Sequence, residues 1–131
     1  MLNRIKELRT VAILSKDEEL KNVTRMILGE VSRLNKKANQ LPSDKEIIMI
    51  IWKLINNERE VLKFKNLPEN EYIRILKSLI PEIIPVDDIK EFIKTIDMTK
   101  IKNPMAIIGI VKKHLGEEKI DTQDLFNIIN K

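Results

Sequence analysis

Apolar residues recur at helical spacing along nearly the whole chain, and their stripes predict its elements. Leu2, Ile5, Leu8 and Ala12 share one face at the 3.6-residue period, predicting a first helix over about Leu2 to Leu14. After a polar exit from Ser15 to Glu18, Leu20, Val23, Ile27, Val31, Leu34 and Ala38 predict a longer second helix from Asp17 to about Ala38. Asn39 to Ser43 breaks the pattern. Ser43-Asp-Lys-Glu46 then reads as a capping box that opens a third helix reaching about Phe64. Its first half, Ile47 to Trp52, is apolar nearly all round, so this helix is expected to be the central, enclosed one.

Lys65 to Pro68 reads as a turn and Glu69 to Ile80 as a short helix, followed by the two-proline stop of Pro81 to Pro85. Ile89, Phe92, Ile93 and Ile96 mark a further helix, with Asp87 and Asp88 where acids favour a helix start. Asn103-Pro104 opens another that ends before Gly116, and Asp121 opens the last, with Leu125, Ile128 and Ile129 behind it. The pattern predicts an all-α fold: an N-terminal multi-helix domain over residues 1–84 and a small C-terminal three-helix bundle over 85–131.

Composition agrees with that class. Aromatic residues make up 4% of the chain, and three glycines leave little material for hairpins or phosphate-cradling loops. With no cysteine, thiolate catalysis, disulfides and Cys-ligated zinc are excluded. The charged start MLNRIKELRT lacks the apolar stretch of a signal peptide, and no window approaches the ~18 apolar residues of a membrane span, so a cytoplasmic protein without membrane contact is expected.

The charge is distributed unevenly. The first 41 residues hold nine Lys/Arg against five Asp/Glu, while the remainder holds fifteen of each. On the second helix, Lys21, Arg25, Gly29, Ser32, Arg33 and Lys36 fall opposite the apolar stripe, with Lys37 on the flank and no acid in the outward set. Cations so spaced can track a phosphate backbone without reading bases, and Gly29 would let that backbone approach. A solvated face on a lysine-rich protein would carry the same residues.

Candidate chemistry is sparse. His114, the only histidine, lies on the apolar side of its helix with Ile107 and Val111 and has no second ligand at metal-binding spacing. Glu58 is in line with Leu54, Val61 and Leu62, and is expected to be a buried acid paired with a Lys or Arg. Gly109, in mid-helix, calls for a close contact, with another helix of the chain as the expected one and a partner's backbone as the alternative. No nucleotide-loop, zincin, nucleophile-elbow or EF-hand pattern occurs, so neither a cofactor nor catalysis is expected.

Lys16-Asp17-Glu18-Glu19, Arg25-Met26-Ile27-Leu28, Arg59-Glu60 through Phe64, Ile80-Pro81-Glu82-Ile83-Ile84 and Ile107-Ile108-Gly109 follow one another in an order that resembles the GatB/YqeY family. That family comprises free-standing YqeY-like proteins and the tail of the GatB subunit of tRNA-dependent amidotransferases. Asn56-Asn57-Glu58 departs from the family's basic residues before Arg59, and Met105 and Pro85 replace a glycine and a serine, as in a divergent member. The resemblance implies a two-part all-α fold. In the GatB tail it implies tRNA binding on behalf of an enzyme whose catalytic sites lie elsewhere.

These readings converge on a non-catalytic RNA-binding module, with tRNA or another structured RNA as ligand and a larger enzyme as a further partner. Lys21, Arg25, Arg33, Lys36 and Lys37 are the expected phosphate contacts, and Lys112 and Lys113 beside Gly109 the expected second surface. The competing class is a protein-interaction module in which the cations serve solubility.

Overall fold

The computed structural model describes residues 1–34, 41–101, 103 and 105–129, with only the backbone of Met98. Among them the regular structure is helical throughout: the protein is all-α. It forms two compact units, Met1–Ile80 and Pro81–Lys131. The division falls at the start of the two-proline segment, four residues before the boundary expected from sequence.

The first unit holds α1 (Leu2–Ser15), α2 (Glu18–Ser32), α3 (Asp44–Phe64) and α4 (Glu71–Ser78). Asp17 makes the α1–α2 turn in two ways. Its N–H donates to the Ala12 carbonyl at 2.9 Å, closing α1, and its carboxylate accepts from the Leu20 N–H at 3.1 Å, capping α2. Lys16 between them takes the left-handed conformation, φ 59°.

α2 ends at Ser32 rather than running to Ala38. The apolar stripe continues through Val31 and Leu34, but the bonds tighten to i→i+3: Arg33 N–H to Glu30 at 3.1 Å and Leu34 N–H to Val31 at 3.1 Å. The Ser32 hydroxyl also donates to the Gly29 carbonyl at 2.7 Å. Ala38, the expected end of the helix, lies outside the described residues.

The expected capping box opens α3. The Glu46 N–H donates to Ser43 Oγ at 3.2 Å, and the Ser43 N–H to Glu46 Oε1 at 3.1 Å. Ile47, Ile48, Ile50, Ile51, Trp52, Leu54 and Ile55 are all buried. The helix is enclosed as its composition demands: α3 supplies the most core, and α2 lies against α1, α3 and α4. α4 starts two residues later than expected because Asn70 caps it, accepting from the Ile73 N–H at 3.1 Å.

The second unit holds α5 (Val86–Lys94), α6 (Met105–Leu115) and α7 (Thr122–Ile129), with 3₁₀ turns at Met98–Lys100 and Glu117–Lys119. Ile89, Ile107, Ile108, Val111, Ile120 and Leu125 form its core. Gly116, at φ 98°, provides the left-handed step that ends α6. Buried Asp121 accepts from the Gln123 N–H at 3.0 Å at the start of α7, and the Ile84 N–H reaches the Lys119 carbonyl at 2.8 Å.

Candidate nucleic-acid interface

Three sides of α2 are occupied, so its solvent face is a narrow strip. Arg25, Ser32 and Arg33 are exposed on it, and Lys21 and Gly29 are half-buried. A side chain at Gly29 would meet no atom of the described residues within 4 Å. Arg25 Nη2 donates to Asn22 Oδ1 at 3.0 Å, one turn back, which holds the guanidinium along the helix. Lys36 and Lys37 lie outside the described residues.

The strip is not free of acid influence, as the sequence suggested. Glu30, with a side chain 14% exposed, accepts from Arg33 Nη1 at 2.7 Å and from Lys53 Nζ at 3.0 Å. Its carboxyl is held below the usual glutamate range, first by the Lys53 hydrogen bond and then by the charges of Lys53 and Arg33, against the opposing effect of burial. Arg33 is thus a paired cation rather than an open one. Lys53 joins the strip from α3, and sequence reasoning missed it. Its one signal was its position as the lone charge between Trp52 and Leu54 in an apolar run, where a lysine must extend its ammonium outward.

Lys112 is half-buried and Lys113 exposed, both on α6 in the second unit. Gly109 between Met105 and Lys113 is exposed, and an added side chain would meet no described atom within 4 Å. Packing against another helix of the chain, the reading expected from sequence, is therefore overturned.

Two further expectations change. Glu58 is half-buried, and the partner seen is an amide: Asn70 Nδ2 donates to Glu58 Oε1 at 3.1 Å. The neighbouring Arg59 instead joins Glu69 at 2.7 Å, with Lys77 on the other Glu69 oxygen at 3.5 Å. Close by, burial and then the charges of Glu58, Glu19 and Glu30 push the Tyr72 hydroxyl pKa up. His114 is exposed rather than on the core side, its ring 5.4 Å from that of Phe92 at 42°.

Among the described residues, no group of three His, Cys, Asp or Glu is arranged to hold a metal ion. No helix among them is long and apolar enough to cross a membrane. The α2 strip is therefore the feature with the clearest chemistry: a row of cations about 18 Å long from Lys21 to Arg33 at 1.5 Å per residue. Comparisons with protein-family models, with curated proteins and with solved structures found nothing that matches this chain.

Proposed function

We propose that this chain is a non-catalytic RNA-binding module that holds structured RNA by its phosphates, with tRNA as the ligand implied by the GatB/YqeY resemblance. The observation that carries this reading is the solvent strip of α2, where Lys21, Arg25 and Arg33 stand in a row with Lys53 alongside. Lys21 and Arg25, four residues apart, lie about 6 Å from one another on the helix surface. Such a row favours a polyanion over a single small anion, because its charges are spread along a line rather than gathered on one point. Recognition of this type is by shape and charge.

The test is a titration of a purified tRNA at several salt concentrations. Three phosphate contacts predict a slope of log K against log salt of about −2 to −3. Reversing Lys21, Arg25 and Arg33 to Glu together should abolish binding while leaving helicity intact. Unchanged affinity would sink the proposal.

A docking role toward another protein is favoured by a different observation. At the end of α1, Val11, Ile13 and Leu14 are 54%, 49% and 78% exposed. That reading predicts a stoichiometric protein complex little affected by salt. The absorbance ratio at 260 and 280 nm after native purification, with and without high salt, separates the two.

A further inference from the structure

Phe64 occupies the last turn of α3 and is 90% exposed, whereas Leu62 two residues earlier is 7% exposed. The core face of the helix ends at Leu62, and the ring of Phe64 lies beyond it. Its position is nevertheless well defined. Asn66 adopts φ 57° and the Leu67 N–H donates to the Leu62 carbonyl at 2.9 Å, a closure that fastens the end of the helix. The exposed ring therefore sits on a capped element of the first unit rather than on a loose end.

Lys63 and Lys65, adjacent to Phe64 in the chain, are both exposed, and so are Val61 and Leu67, 46% and 54%, three residues to either side. An exposed ring with cations beside it in the chain suits a nucleobase, which offers an apolar face to the ring and a charged phosphate to each ammonium group. Stacking on a base covers the ring and leaves both ammonium groups in water, beside the flanking phosphates.

The tip also lies within reach of the α2 strip. Phe64 is eleven residues beyond Lys53, about 16 Å along α3, and Lys53 meets the strip through Glu30. We propose that Phe64 is a stacking platform for one unpaired base of the bound RNA, with Lys63 and Lys65 on the adjoining phosphates. This rests on the RNA-binding reading and adds to it the structural class of the ligand: RNA that offers an unpaired nucleotide beside a folded region.

The experiment compares two RNAs of equal length, a hairpin with an unpaired loop and a fully paired blunt duplex, by fluorescence anisotropy. Phe64→Ala should weaken hairpin binding by about 5- to 100-fold and leave duplex binding within about twofold. Phe64→Trp should keep hairpin affinity. Its emission should be quenched by the hairpin and not by the duplex, against a constant signal from buried Trp52. Equal losses on both RNAs, or no loss on the hairpin, overturn the stacking role while leaving phosphate binding in place. A native protein that binds neither RNA overturns the RNA reading itself, and stacking with it. Loss of a co-purifying protein from Phe64→Ala, with hairpin affinity unchanged, would assign the ring to protein docking instead.

Discussion

The first unit gathers its core on one long element, whereas the second collects its core in small pieces. Along α3, Ile47, Ile48, Ile50, Ile51, Trp52, Leu54 and Ile55 are at most 9% exposed, an apolar surface packed against α2 and α4 and interrupted by the outward Lys53. In the second unit the buried residues are divided among α5, α6, the segment before α7, and α7 itself. Short helices leave a larger share of their backbone at ends that must be closed locally. Asn103 accepts from the Met105 N–H at 2.9 Å, Gly116 turns the chain at φ 98°, and Asp121 caps α7. Both units close helix ends with side chains, Asp17, Ser43 and Asn70 in the first and Asn103 and Asp121 in the second, so what differs is where burial is concentrated: on α3 in one, over several short elements in the other.

The largest effect should come from a deletion in the α3 core. Ile51 is fully buried, and Ile51→Ala should destabilise the first unit by about 2–5 kcal/mol. Urea unfolding followed by Trp52 emission reads this directly, because the only tryptophan lies one residue away in the same unit. Ile89→Ala makes the same deletion at an equally buried position of the second unit. It should cost nearer the lower end, about 2 kcal/mol, since short helices close over a cavity more readily. Equal costs, measured by far-ultraviolet circular dichroism, would remove the distinction between the units.

The same contrast explains what could be read from the sequence. The capping box at Ser43 and Glu46 and the apolar run after it are local signals, and α3 is where they place it. The left-handed Gly116 that ends α6 is also a local signal. The end of α2 was misread because the stripe through Val31 and Leu34 continues past the point where i→i+3 bonds close the helix. Tertiary pairings were the least legible. Glu30 could be matched to Arg33 from their i, i+3 spacing, but nothing local links it to Lys53, twenty-three residues away. Glu58 reads as an acid in need of a cation until Asn70 is brought beside it by the turn into α4. Of the proposed interface, then, the cations of α2 were legible, and Lys53 and the state of pairing were not.

A smaller effect, of opposite sign, sharpens the account of the second unit. Gly109 is exposed within α6, and an added methyl group meets no described atom within 4 Å. Gly109→Ala should therefore stabilise the second unit by about 0.5–1 kcal/mol, through the lower backbone entropy of the unfolded chain. Thermal unfolding followed by circular dichroism checks the sign. If the glycine serves close approach of a partner, the same variant gains stability and loses that partner. If it loses stability, an intramolecular contact at this face must exist after all.

The smallest effect concerns the acid that ties the two longest helices of the first unit. Glu30 has a folded-state pKa lowered by Lys53 and then Arg33. Its contribution is accordingly present in full above the ordinary glutamate range and is lost as pH falls through the lowered value. Both cations are largely solvent-exposed, 58% for Lys53 and 77% for Arg33, so screening keeps the contribution to about 1 kcal/mol or less. Glu30→Gln should lower stability slightly at neutral pH, and the difference from the native chain should vanish in acid. Binding should move the other way. With the carboxylate gone, Lys53 and Arg33 are both released toward a phosphate backbone, and the salt slope for tRNA should steepen by about one. A variant that lost stability and RNA affinity together would mean that Glu30 positions those cations for the ligand rather than competing with it.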